Sequence, residues 1–143
     1  MSIDDVTQAE GDAGSTLFEF TVSIDATPSS DVQVTVQSAY GTATASDFLA
    51  VPPTVLTFTP FGPTSRTVTV QVQGDFDIEA DEQFTMVLSS PNGVAITDGT
   101  GVGTIVNDDF AAAPIAAVPT LSETMLLALV AIVAAAGAIA LRS

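Results

Sequence analysis

From Thr16 to Ile24, "TLFEFTVSI", apolar residues fall at every second position: Phe18, Phe20, Val22 and Ile24. "VQVTVQ" at 32–37 repeats the rule through Val32, Val34 and Val36, and "VLTFT" at 55–59 through Leu56 and Phe58. "VTVQV" at 68–72 does so through Val68, Val70 and Val72, and "FTMVL" at 84–88 through Phe84, Met86 and Leu88. Successive side chains on extended backbone leave by opposite faces, so this rhythm, rich in Val and Thr, predicts half-buried strands. A short strand near Ile3–Val6 and a last one over Val94–Val106 bring the expectation to about seven strands in the first 110 residues. Turn chemistry separates them: "TPSSD" at 27–31, "FGPT" at 61–64 and "SPNG" at 90–93. No helical period appears in this part, and the reading is an all-β antiparallel sandwich.

If successive strands run antiparallel, the segments between them alternate between two poles. "EGDAG" (10–14), "YGTATASDF" (40–48), "GDFDIEADE" (74–82) and "NDD" (107–109) then share one pole, with ten of the seventeen acids of the chain. The other pole receives Asp31 and Asp25. This assignment treats "TDGTG" at 97–101 as a bulge within the last strand; a hairpin turn there, which Asp-Gly also suits, would send Asp108 and Asp109 to the far pole. Within "GDFDIEADE" the acids Asp75, Asp77, Glu79 and Asp81 alternate, which on extended backbone places them on one face, where they repel unless water or a cation screens them.

Composition narrows the chemistry. Seventeen acids stand against two arginines, without lysine or histidine, for a formal charge of −15. Such a chain cannot neutralise phosphates, which excludes nucleic acid as a partner. Without cysteine or histidine it lacks the usual nucleophile and general base, and zinc lacks its usual ligands, so an enzyme is not expected. A solubilising acidic coat would not gather at one pole. Carboxylates from separate loops suit calcium, which accepts about six to eight oxygens in flexible geometry, better than magnesium, which demands a stiff octahedron. Other uses of single acids stay open: Glu10 and Glu82 as caps on loop amides, Asp75–Asp81 as charges guarding a sheet edge, and Asp47 as an Asx-turn residue. Gly41, Gly93, Gly101 and Gly103 read as turn or bulge positions, since no helix follows a strand to form a phosphate cradle.

"EGDAG", "GTATASDF", "GDFDIEADEQF" and "DGTGVGTIVNDD", in that order and spacing, resemble the Calx-β family over residues 2–109. The resemblance implies a seven-stranded, immunoglobulin-like Greek-key sandwich whose loops at one pole hold calcium. By motif it places Glu10, Asp47, Asp75, Glu79, Glu82, Asp108 and Asp109 at ligand positions, with Asp77 where the family often uses a backbone oxygen. Asn107 and Ala80 stand where the exchanger members of the family carry acids, which implies fewer ions, about one or two.

After Phe110 the composition changes. Residues 111–121 form an Ala/Pro linker. Residues 122–143 read as one C-terminal hydrophobic α-helix, with Ser122 and Glu123 at its start and no charge across the 18 positions 124–141. At ~1.5 Å per residue these span ~27 Å, close to a bilayer core. "VPTLSE" at 118–123, the apolar run and Arg142 resemble the IPTL-type C-terminal sorting signal of bacterial surface proteins, with Thr124-Met125 in place of the usual Trp-Gly. "MSIDDV" carries no signal peptide, so the chain reads as the end of a longer polypeptide or as a mature product. The sequence reading is a calcium-binding structural or adhesion module on a bacterial cell surface, held or sorted by its tail through the membrane. The alternative is an extracellular filament subunit whose helix or strands pack against neighbouring copies or adjacent modules.

Overall fold

The structure, a computed structural model, describes residues 1–111. Ala111 apart, the linker and apolar helix expected from the sequence lie outside the described residues. Strands β1 (Ser2–Ile3), β3 (Gly14–Ser23), β7 (Ser65–Gly74) and β5 (Phe48–Leu49) form one sheet, in the order β1-β3-β7-β5. Strands β2 (Val6–Ala9), β9 (Thr100–Val106), β8 (Glu82–Asn92), β4 (Val32–Tyr40) and β6 (Thr54–Phe58) form the other, in the order β2-β9-β8-β4-β6. The alternating residues face inward as a set: Phe18, Phe20, Val22 and Ile24 from the β3 segment, Val32, Val34 and Val36 from β4, Val70 and Val72 from β7, and Phe84, Met86 and Leu88 from β8 are all buried. Turning a strand by one residue would exchange these for Thr, Gln and Glu, so burial fixes the register.

Nine strands replace the seven expected, and two departures account for the difference. The strand expected near Ile3–Val6 is two: β1 pairs with β3 in one sheet, and β2 pairs with β9 in the other. Asp4 and Asp5 occupy the crossing and satisfy the amides it leaves open, Asp4 Oδ1 accepting from Thr21 N at 2.6 Å and Asp5 Oδ1 from Val102 N at 2.7 Å. β5 is too short to alternate; buried Phe48 and its pairing with Val72 define it. Nor is the sandwich wholly antiparallel, because β2 runs parallel to β9, from Val6 opposite Gly103 to Ala9 opposite Val106.

The segment 94–98 is neither a bulged strand nor a tight hairpin. β8 runs on to Asn92, Gly93 turns the chain at φ 85°, and the loop that follows is tied to the N-terminus. The Met1 ammonium donates to Ala95 O at 3.0 Å, while Thr97 N and Oγ1 each donate to Met1 O at 2.9 Å. Val94 and Ile96 still pack against the core. Since β9 begins only at Thr100, its far end, Val106, emerges at the same pole as the end of β2.

Phe84 joins the two sheets. Its ring stacks on Phe48 with centroids 4.4 Å apart and 23° between planes, and meets Phe20 edge-on at 5.8 Å and Phe18 at 6.0 Å. Gly103 of β9, opposite Phe84 in the register, makes the room: a Cβ there would lie 2.4 Å from the ring. This glycine is a packing position within a regular strand, not the bulge expected. Phe84→Ala should therefore cost about 3–5 kcal/mol, the usual loss for a buried aromatic. Gly103→Ala should cost about 1–3 kcal/mol through overpacking. Urea unfolding of both variants checks this, and equal midpoints for Gly103→Ala and the parent would remove Gly103 from that role.

Candidate metal centre

The parallel pairing of β2 with β9 decides where the site lies. Strands that run side by side in one direction end side by side, so Glu10 leaves β2 next to Asn107, Asp108 and Asp109 leaving β9. Two amides hold the exits together: Glu10 N donates to Val106 O at 3.3 Å and Gly11 N to Asp108 Oδ1 at 3.0 Å. The end of β7 closes on the same loop. A Cβ on Gly74 would lie 2.0 Å from Gly11 O and 2.9 Å from Glu10 O, an approach only glycine permits. The 40–47 loop is tied to the other two segments, with Ala43 N donating to Gln83 O (3.0 Å), Gln83 N to Thr42 Oγ1 (2.7 Å) and Gln73 N to Asp47 O (2.7 Å).

All eight acids singled out from the sequence reach this pole, in two groups. Asp47, Glu79 and Glu82 each bring a carboxylate oxygen to within 4.8 Å of the others. Glu10, only 6% exposed, sits amid the charges of Asp75, Asp109, Glu79 and Asp108. Asp109, 9% exposed, faces Asp12, Asp108, Asp75 and Asp77. Glu79 acts on both Glu10 and Glu82, and so links the groups.

The alternation of Asp75, Asp77, Glu79 and Asp81 has a different outcome from the single face expected of a strand, because residues 75–81 form a loop. Asp75 Oδ1 accepts the amide of Asp77 at 2.7 Å, and Asp81 Oδ1 turns away to accept the amide of Asn107 at 3.2 Å. Asn107 is a brace between segments: its Nδ2 donates to Glu79 O at 3.0 Å and its Oδ1 accepts from Asp109 N at 3.1 Å. Asp47 does make the local turn that its sequence context suggested, accepting from Thr44 N (2.6 Å), Thr44 Oγ1 (3.0 Å) and Ser46 Oγ (2.9 Å). Those bonds aim its carboxylate at Glu82. Glu10 and Glu82, by contrast, cap no amide among the described residues. Asp12 was missing from the candidate ligands; its membership of the same acidic "EGDAG" segment was the available signal.

Electrostatics at this pole are uncompensated. Among the described residues the basic groups are the Met1 ammonium and Arg66, bound to Ala95 O and Thr57 O respectively and near the opposite end, where Arg66 pairs with Val22. Burial, then the charges of Asp75, Asp109, Glu79 and Asp108, push the Glu10 carboxyl from 4.5 up to about 7. Burial raises Glu82 as well, helped by its hydrogen bond to Asp47 and the charges of Asp47 and Glu79. Asp109 is raised by burial and by Asp12, Asp108, Asp75 and Asp77. For Asp47, burial acts upward but is outweighed by hydrogen bonds from Thr44, Ser46 and Glu82, so its carboxyl lies below the usual range.

One atom tests whether a cation suits these groups. Asp109 Oδ2 is buried and has no hydrogen-bond partner among the described residues. A buried, unpartnered carboxylate oxygen is costly, and among other carboxylates only a cation or a proton relieves it. The donor set is all oxygen and comes from flexible loops, which fits a hard cation of loose geometry.

Comparisons with known proteins bear on the family and the fold. Residues 5–112 match the Calx-beta domain family. The solved calcium binding domain CBD12 of CALX1.1 is 25% identical with a TM-score of 0.67, over 78% of this chain and 48% of that one. CBD12 from CALX1.2 is also 25% identical, with a TM-score of 0.66 over 76% of this chain and 45% of that one. The chain thus spans about half the length of both. The apo-form Calx CBD1 domain, 22% identical with a TM-score of 0.61 over 76% of this chain and 97% of that one, shares the fold. No curated protein sequence matches closely enough to count as a relative.

A pH dependence follows from Glu10. Folded, it keeps its proton up to about 7; unfolded, it releases it near 4.5. Between those values the folded state binds more protons, so in chelator stability should rise as pH falls from 8 to 5, by up to about 3 kcal/mol. Raised Glu82 and Asp109 act in the same direction. Thermal unfolding across that range in EGTA checks the sign, and Glu10→Gln should flatten the slope and raise the midpoint at pH 8.

Proposed function

Since the chain belongs to the Calx-β domain family, we propose that its acidic pole binds calcium and that the sandwich is a calcium-stiffened, non-catalytic module. The observation that carries this reading is the buried, unpartnered Asp109 Oδ2 beside Glu10 in a ring of carboxylates. Asp47, Glu79 and Glu82 would hold one ion. Glu10, Asp75, Asp108 and Asp109 would hold a second, with Asp77 and Asp12 at its rim. Bound calcium would supply the positive charge that this end of the chain lacks. Its consequence is mechanical: segments far apart in sequence, otherwise driven apart by like charge, become cross-linked through shared oxygens. The solved domains that this chain resembles are described as calcium binding, which supports the same chemistry.

We place the module at a bacterial cell surface, in a structural or adhesive role, held or sorted by the tail. The support is sequence alone: "VPTLSE", the uncharged run 124–141 and Arg142. Assembly into a filament through the apolar run is the outcome that would replace anchoring.

Calcium at about a hundredfold excess over its dissociation constant should stabilise the fold by about 2.7 kcal/mol, raising the unfolding midpoint by several degrees over EGTA. Asp109→Asn should lose most of that gain without lowering the midpoint in EGTA, because it also removes repulsion. Coincident midpoints for the parent protein in calcium and EGTA would sink the calcium reading. Detergent extraction followed by electron microscopy separates the two tail readings: monodisperse particles support anchoring, regular fibres replace it.

A further inference from the structure

In a chain of seventeen acids, the guanidinium of Arg66 donates to a backbone carbonyl, Thr57 O, at 3.1 Å. Arg66 lies at the register of β7 that turns Val70 and Val72 into the core. Beside it, β5 covers the flank of β7 only at Gln71 and Val72. The side chain therefore crosses from one sheet to the other on the side of the sandwich that β5 leaves open. It ends on β6, the edge strand of the second sheet.

The hydrogen bonds of β4 reveal which groups of β6 face outward. Ser38 N donates to Val51 O at 3.0 Å, in the segment that leads into β6, so even-numbered amides of β4 point to β6 and odd-numbered ones to β8. Val34 lies opposite Leu56 and Val36 opposite Thr54. Thr54, Leu56 and Phe58 thus bond to β4 through their backbone, and the backbone groups of Val55 and Thr57 face away from it. Arg66 takes Thr57 O, and Gly62 N takes Thr59 O at 3.0 Å. Among the described residues Val55 N, Val55 O and Thr57 N are left without a partner.

A free edge is a template for another strand, and this one has the composition for it. "TVLTFT" at 54–59 is uncharged and made of β-branched, aromatic and Leu residues, with Val55 59% exposed. Two copies of β6 set antiparallel, Val55 of each opposite Thr57 of the other, would join all their outward groups in one ladder. That ladder needs Thr57 O as the acceptor for Val55 N of the second copy. Pro52, Pro53 and Pro60 close the edge at both ends, which leaves its centre to be covered.

We propose that Arg66 guards the free edge of β6, occupying the acceptor that the same strand of a second copy would need. Symmetric pairing would have to displace a guanidinium from each Thr57 O and bring two like charges to one contact. The role is independent of calcium.

Sedimentation of the full-length chain in detergent and EGTA, over a range of concentrations, tests it. Arg66→Met keeps the apolar stem and removes the donors, and should dimerise at least about tenfold more tightly than the parent. Arg66→Gln, too short to span the seam, should do likewise. Net charge alone predicts the reverse, since both variants are more negative than the parent. Val55→Pro removes an amide that faces away from β4, so adding it to either variant should keep the fold and restore the parent's sedimentation. Amide exchange in the unaltered chain checks the premise without substitution: Val55 N–H should exchange fast and Leu56 N–H slowly. Three results overturn the proposal: arginine variants that sediment as the parent does, association that survives Val55→Pro, or a Val55 amide as protected as that of Leu56.

Discussion

Like-charge repulsion at one end of the sandwich is the interaction on which everything functional depends. The strands that deliver the acids are fixed by apolar burial, which takes no account of charge: Phe18, Val72, Phe84 and Ile105 must face inward, and the loops beyond them go where the strands end. Two of those ends lie together because β2 and β9 run parallel, and a third closes on them because Gly74 lets backbone meet backbone. The fold therefore compresses carboxylates that would separate if free. Burial first, and then the charges of the neighbouring carboxylates, raise Glu10 to about 7.

Stored repulsion gives the module its directionality. On the proposed reading a cation-free pole would tend to open, and protons or a divalent ion would close it, protons weakly and calcium with several oxygens at once. The bonds that do not involve charge set how far opening can go. Asn107 braces the 79–81 loop to the end of β9, and Asp47 is locked into its own turn by Thr44 and Ser46. Acids engaged in such bonds are shaped without an ion, and Glu82 shares the hydrogen bond to Asp47, whereas the Glu10 and Asp109 carboxylates are held chiefly by burial. This division into braced and unbraced carboxylates is what distinguishes a preorganised site from a charged surface.

At the opposite end of the sandwich charge is used differently. There the Met1 ammonium is consumed by Ala95 O, and the N-terminal strand crosses between sheets with Asp4 and Asp5 serving backbone amides. These acids are structural, although in sequence "DD" at 4–5 looks no different from "DD" at 108–109. Asp108 too serves an amide, that of Gly11, yet it does so inside the acidic cluster. Position, not residue type, separates the two pairs.

The sequence by itself determined the strands long enough to alternate, the inward set of Phe, Val and Met, and the gathering of acids at one pole, because each depends on local periodicity and on chain direction reversing at turns. Only the tertiary structure decided the rest. The split of the first strand between two sheets and the parallel β2–β9 pairing depend on contacts across about a hundred residues of sequence, which leave no local signature. β5 is too short to carry a period. Loop 75–81 kept the acidic rhythm of a strand without being one, so which carboxylates meet (Glu10 with Asp75 and Asp109, Asp47 with Glu79 and Glu82) and which turn aside, as Asp81 does to Asn107, were settled by hydrogen bonds between loops. A side chain's period reports the face of an element. Its partners are set by where separate elements end, and that is a property of the packed whole.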